Sequence, residues 1–281
     1  IAGSPVEGVP AFKPPNSDAG GDLYLMDFIG MIGIPLVPVS SYPADAKVIF
    51  LPSQAASETG ILEKVKNSTG SGTRVILTSG FLLQAGSGEE IAGLAGIRWP
   101  LVKNPGKAKP VVNQDLTDST DMRVEIEADM EISTASVLLE VDMDGKRIPY
   151  LTVSQDGTVF VLNAHTFSQA DFDAAGEVLL CPGPLGLMDI PDDWANTIRA
   201  VFNNPLGINL DAPVRVSCQP FGKNELMIQN YNRDPVKVRL EIDENFNYYN
   251  VLNGKGLPKE GSALNLDLPA RSRIWIKSNS D

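Results

Sequence analysis

From about Pro213 to Asp281 the chain carries no helical hydrophobic period, and this feature constrains its fold more than any other. The runs Val214–Val216, Glu225–Gln229, Val236–Ile242, Tyr248–Leu252, Leu264–Leu268 and Ser272–Ile276 are short strand candidates. Turn signals separate them, among them Asn232-Arg233-Asp234-Pro235 and Asn253-Gly254. Strands this short bury their apolar faces by packing one antiparallel sheet on another. The spacing therefore predicts a small all-β sandwich over 206–281, set off near Asn203-Asn204-Pro205-Leu206-Gly207.

Upstream the period is different. Residues 1–21 hold prolines and glycines with few periodic apolar positions and read as an irregular arm or linker. Asp22–Met31 has helical spacing with Asp22 as cap, and Ile34–Val39 reads as a strand whose prolines favour a sheet edge. Lys47–Leu51 is dense in β-branched and aromatic types, as suits a strand covered on both faces. An amphipathic helix over Ser57–Ser68 and a strand over Arg74–Thr78 complete a β-α-β unit, for which a parallel, right-handed crossover is expected. Met122–Ala128, Ala135–Val141, Arg147–Val153 and Thr158–Leu162 then read as hairpins with Asp-Gly turns, an antiparallel extension whose last strand returns to the sheet. Helices over Ser168–Leu180 and Pro191–Phe202 follow. The 22–205 region is thus expected to be an α/β domain with an open, flavodoxin-like or Rossmann-like sheet.

Charge and composition narrow the function classes. The formal net charge of -12 repels a phosphate backbone, and no Lys/Arg cluster offsets it locally, so nucleic acid is not an expected partner. The apolar run Phe28–Val39 is cut by Gly30, Gly33, Pro35 and Pro38 and is too short to span a bilayer, so membrane insertion is not expected. The first residue is Ile1, which suggests a removed leader or an upstream domain. Cys181 and Cys218 are the only cysteines; they read as two buried thiols or as one pair.

His165 is the only histidine, which excludes a multi-histidine zinc site and leaves at most one imidazole for acid-base work. It is expected at the C-terminal end of a strand, the edge where open α/β sheets collect ligands; the plainer reading is a loop hydrogen bond. Ser79, in LTSGF after a strand, could act as a nucleophile on a strand-to-helix turn, although the preceding Gly of a nucleophile elbow is missing. Cys181 is a third weak catalytic candidate, with no cation near it in sequence. Glu125 with Glu127 and Asp142 with Asp144 are carboxylate pairs, for which solvated faces and a turn are the cheaper explanations. No glycine-rich phosphate motif occurs, so no cofactor and no metal are expected. Trp99, Trp194, Trp275, Tyr248 and Tyr249 could offer sugar platforms or interface aromatics, although aromatic residues in strands are more often core.

The stretch DLYLMDFIGMIGIPLVPVSSYPADAKVIFLPSQAASETGILEKVKNSTGSGTRVILTSGFL resembles the middle domain of multidomain β-galactosidases and related glycoside hydrolases, a class I glutamine amidotransferase-like fold often called the trimerisation domain. LMIQNYNRDPVKVRLEI and LNLDLPARSRIWI resemble the small β-domain that closes such enzymes. The resemblance implies that catalysis belongs to a preceding (β/α)₈ barrel, and Ser79 lies near the position where an amidotransferase would carry its Cys. It also implies a non-catalytic accessory or assembly role, with an upstream catalytic domain or a second copy as partner and carbohydrate as a possible ligand. An export leader, and so a periplasmic or extracellular site, is the matching expectation. A small hydrolase using His165 with Ser79 or Cys181, and a carbohydrate-binding module, are the alternatives.

Overall fold

A computed structural model describes residues 5–17, 25–111, 124–164, 190–222 and 224–279. The chain divides into two compact units. One contains Ile1–Val9, Ile29–Val37 and Asp192–Asp281, and the other Pro10–Phe28 and Pro38–Pro191.

The larger unit holds most of a mixed sheet. Strands β1 (Val9–Phe12), β2 (Leu36–Val39), β3 (Val48–Leu51), β4 (Arg74–Thr78), β5 (Val102–Pro110), β6 (Val124–Asp129), β7 (Ser136–Met143), β8 (Lys146–Val153) and β9 (Val159–Leu162) lie in the order β2-β1-β3-β4-β9-β8-β7-β5-β6. β1, β3, β4 and β9 pair in parallel, and β9, β8, β7, β5 and β6 pair antiparallel. The hairpin extension and its returning strand are therefore present as expected, and β2 with its Pro38 stands at the sheet edge, where a missing N–H donor costs least. Within the segment read as an irregular arm, Val9–Phe12 forms a strand, with Ala11 opposite Phe50 of β3, and helix α1 (Leu25–Met31) follows.

β3 and β4 bury nearly every side chain because both faces of the sheet are covered. On one face Ile49, Leu51, Val75, Leu77, Val159 and Val161 meet α2 (Ile61–Gly70), α3 (Ser79–Gln84) and α4 (Gly88–Ala95). Ala128 and Met130, from β6 and the residue after it, join the same core. β6 is the last strand in sheet order, so the antiparallel half curls back until its far end covers the parallel half. Register shifts between Lys103 and Gly106, and two more between β7 and β8, supply irregularities that bend a sheet in this way.

The hairpin turns are chemically explicit. Between β7 and β8, Asp144 and Gly145 take positive φ (54° and 84°), the conformation a two-residue turn of this hand requires. Between β8 and β9, one carboxylate oxygen of Asp156 accepts from Ser154 Oγ at 2.5 Å, Thr158 N–H at 3.1 Å and Thr158 Oγ1 at 2.9 Å. The Ser154 bond is the largest cause of a pKa held below the ordinary 3.8, with the Thr158 bonds adding to it. A depressed carboxyl stabilises the fold fully above its unfolded pKa and loses that contribution as pH falls through the folded value. Asp156→Ala is accordingly expected to lose about 1 kcal/mol at neutral pH. The gap to wild type should narrow as pH falls below 3.8 and close once the carboxyl is protonated in the folded state, as read from urea midpoints along an acid series; a gap that stays constant throughout would refute the assignment.

In the other unit two small antiparallel sheets share one core. β10 (Leu210–Asp211), β13 (Val236–Glu241) and β15 (Ala263–Leu268) form the first sheet, in the order β10-β13-β15. β11 (Val216–Phe221), β12 (Glu225–Asn230), β14 (Asn247–Asn250) and β16 (Arg273–Asn279) form the second, in the order β11-β12-β16-β14. Val238, Leu240, Leu264 and Leu266 from one sheet and Val216, Ile228, Ile274 and Ile276 from the other pack together. This is the sandwich-like packing expected from their alternation. The strand expected at Val214–Val216 begins at Val216 instead, because Arg215 takes a positive φ (62°) incompatible with a ladder. Helix α5 (Asp192–Asn203) belongs to this unit.

Candidate functional site

Two places could carry chemistry. The first is the C-terminal edge of the parallel strands, where Ser79 lies. Thr78 ends β4 and caps α3, its hydroxyl accepting from Phe81 N–H at 3.0 Å. Ser79 follows with 0% exposure, and its Oγ finds no hydrogen-bond partner. Gln54, in the 3₁₀ turn Ser53–Ser57 after β3, is buried with both carboxamide atoms also unpartnered. Asn163, two residues beyond Val161 in β9, is buried and fully bonded. Its Oδ1 accepts from Ala128 N–H at 3.1 Å, and its Nδ2 donates to the carbonyls of Ala128 at 2.8 Å and Pro149 at 3.1 Å. The strand-to-helix turn at Ser79 is thus present, with the hydroxyl enclosed. His165 and Cys181, the other catalytic candidates, lie outside the described residues, as does the helix expected over Ser168–Leu180.

Glu125 and Glu127 lie two apart on β6 with Asp129 beyond them, and each acid has its own lysine. Lys107 is 3.6 Å from Glu125, Lys103 is 3.3 Å from Glu127, and Lys146 pairs with Asp129. Cross-strand ion pairs of this kind belong to a sheet face, not to two carboxyls facing each other across a cleft. Tyr150 is held neutral, its pKa raised by burial and then by the charge of Glu125.

The aromatic candidates are dispersed. Trp194 is 2% exposed, so its ring is not available as a surface platform. Trp99 is half-buried against the α/β core, and Trp275 stacks on Phe221 with ring centroids 5.1 Å apart. Tyr248 packs against the sandwich core and donates its hydroxyl to the Asp243 carbonyl at 3.1 Å, while the neighbouring Tyr249 points to the opposite face of the same strand. The two tyrosines cannot form a coplanar pair.

The second place is a cleft of about 530 Å³ on the outer face of the three-stranded sheet, lined by Asp192, Asp211, Lys237, Arg239, Asn265 and Asp267 among others. Sequence reading missed it because these residues are the polar positions of an ordinary alternation; only the fold brings them to one concave surface. Beneath it Arg199 of α5 is buried, donating to the carbonyls of Ile32, Ala212 and Pro213 and to the Asn196 carboxamide. Burial lowers its pKa to about 10 against the pull of Asp192 and Asp211, so it remains a cation at neutral pH. Burial pushes the Cys218 thiol up to about 12, which makes it an inert core residue. Among the described residues no group of three or more His, Cys, Asp or Glu could hold a metal ion.

Residues 7–167 match the family model described as "Uncharacterized protein SSO3021, second domain". The chain belongs to this family. No match is found among curated proteins. The structure is similar to parts of much longer solved chains. Against the β-galactosidase of Bacillus circulans sp. alkalophilus the TM-score is 0.57 at 16% identity, covering 99% of this chain and 42% of that one. Against α-L-fucosidase isoenzyme 2 of Paenibacillus thiaminolyticus it is 0.59 at 11% identity, covering 100% and 50%. Against the GH42 β-galactosidase Gan42B it is 0.54 at 11% identity, covering 98% and 40%. The chain therefore spans half or less of the length of each, and at these identities the likeness is one of fold.

Proposed function

We propose that this chain is a non-catalytic accessory or assembly region of a glycoside hydrolase-like protein. The observation that carries this reading is the extent of the fold likeness. Nearly the whole chain, both units included, corresponds to a segment of enzymes named β-galactosidase or α-L-fucosidase and leaves half or more of each unmatched. The larger unit is best read as a flavodoxin-like, class I amidotransferase-like sheet that has lost its chemistry. Parallel strands with α2 between β3 and β4 support that reading, and so does Ser79 where an amidotransferase would carry a nucleophile. A nucleophile must be reached by its substrate, and the Ser79 hydroxyl is enclosed.

On this reading the partners are a catalytic domain on the same polypeptide or a second copy, and the setting is periplasmic or extracellular. The purified chain should show no turnover of nitrophenyl β-galactoside, nitrophenyl α-fucoside or glutamine above a buffer blank. An antibody to this region should detect a natural product well above 30.2 kDa. Turnover abolished by Ser79→Ala, or a natural product of the chain's own mass, would overturn the proposal.

A further inference from the structure

The cleft on the three-stranded sheet combines features that point to a ligand class. Across the strands Asp211 stands opposite Arg239, Arg239 opposite Asn265, and Lys237 opposite Asp267, so donors and acceptors alternate over a surface with about 5 Å between rows. The rim groups are already held. Asp211 accepts from Asn196 Nδ2 at 2.5 Å, Asp192 accepts from Val214 N–H at 3.3 Å, and Asn265 is bonded to Glu260. Lys237, Arg239 and Asp267 make no side-chain hydrogen bond or ion pair among the described residues, although Lys237 and Asp267 face one another. The two cations and the carboxylate are thus open to a ligand on a floor whose neighbours are fixed.

The charge count selects the ligand. Four carboxylates (Asp192, Asp211, Glu260 and Asp267) against two cations (Lys237 and Arg239) line the cleft, on a chain whose formal net charge is -12. An anion would meet a negative field on approach, and a cation would meet Lys237 and Arg239. A neutral molecule carrying many hydroxyls can accept from Lys237 and Arg239 and donate to Asp267 at once, at no cost in net charge. The volume falls within the range of about 300–1,000 Å³ common for small-molecule sites. Among the described residues no aromatic ring lines the cleft, so binding would depend on charge-assisted hydrogen bonds and should be weak. The geometry points to a neutral saccharide subsite here, with Arg239, Lys237 and Asp267 as its contact residues. This goes beyond the accessory role and does not depend on it, since a cleft that binds nothing leaves the fold correspondence as it stands.

The test is titration of the full chain with β-1,4-galactotriose and with cellotriose, and with trigalacturonate as the charged control, followed by ¹H–¹⁵N chemical shifts. Neutral trisaccharides should perturb the amides of β13 and β15 with millimolar affinity, trigalacturonate should bind at least tenfold more weakly, and Arg239→Ala and Asp267→Ala should each weaken binding about tenfold, equivalent to about 1.4 kcal/mol. Both side chains point outward and, among the described residues, make no side-chain hydrogen bond or ion pair, so an unchanged melting temperature is expected and checks that these variants remain folded. The assignment fails if neither neutral trisaccharide shifts these amides, if the shifts survive both substitutions, or if trigalacturonate binds as well as the neutral sugars.

Discussion

Arg199→Met is expected to destabilise the protein by about 3–5 kcal/mol, a large share of the roughly 5–15 kcal/mol that holds a typical domain folded. The guanidinium is 1% exposed and serves backbone carbonyls from two separate stretches, Ile32 on one side and Ala212 and Pro213 on the other, together with the Asn196 side chain. Methionine fills most of the volume but donates nothing, so the buried carbonyls of Ile32 and Ala212 and the half-buried one of Pro213 lose their donor at once. The site is also tight. Gly33 adopts φ +93°, and a Cβ there would lie 2.8 Å from the Val216 carbonyl oxygen and 3.0 Å from Arg199 Nε. Little room exists for a water to replace the lost donors. Arg199→Lys should recover only a minor part, because an ammonium at the end of a flexible stem cannot reproduce the planar fork. Urea midpoints would measure both variants, and hydrogen exchange would locate the damage at Gly33 and at Ala212–Val216. A lysine variant as stable as wild type would show that charge alone, not the fork, carries the effect.

Elements whose burial is written into their own residues were legible. Val48–Leu51 is a run of large apolar side chains buried on both faces, and β13 and, from Leu264 on, β15 alternate, so each could be read without its neighbours. β5 could not be read in this way. VKNPGKAKP exposes most of its side chains, Ala108 being its one fully buried residue, and it is a strand because β6 and β7 flank it. The four residues of β1 sit among prolines and are strand only through β2 and β3 on either side. α3 and α4 have six and eight residues, too few for a period to emerge from local sequence. The candidate sites follow the same rule. Ser79 was found because a strand-to-helix turn has a local signature, but its enclosure does not. Arg199 shares the face of its helix that carries Ala195, Ile198 and Phe202, but nothing local shows what its guanidinium would bond, and its carbonyl partner Ile32 is 167 residues away. The cleft residues are indistinguishable in sequence from any polar sheet face.

Asn163→Leu is the second large effect, expected at about 3 kcal/mol or more, and it tests how the mixed sheet closes on itself. In sheet order β9 and β6 are separated by β8, β7 and β5, yet the Asn163 carboxamide both accepts from and donates to the backbone of Ala128 in β6. This reciprocal pair does for one residue what a ladder does for neighbouring strands, and it ties the curled end of the antiparallel half to the parallel half. The third bond, to the Pro149 carbonyl, fixes the carboxamide plane, so the side chain has every partner it can use at this site. Leucine matches its size but leaves the Ala128 N–H and two carbonyls buried without partners, in a core where water has no access. If the staple is needed to hold the curl, the amides of β6 should lose exchange protection first, while those of β3 and β4 keep theirs to the global transition. Uniform loss across all strands would mean instead that the larger unit opens as one body, with Asn163 contributing stability and no local closure. Asn163→Asp separates polarity from pairing: it keeps the acceptor for Ala128 N–H but replaces the donating nitrogen with an acceptor facing two carbonyls, and should be at least as destabilising as leucine at neutral pH.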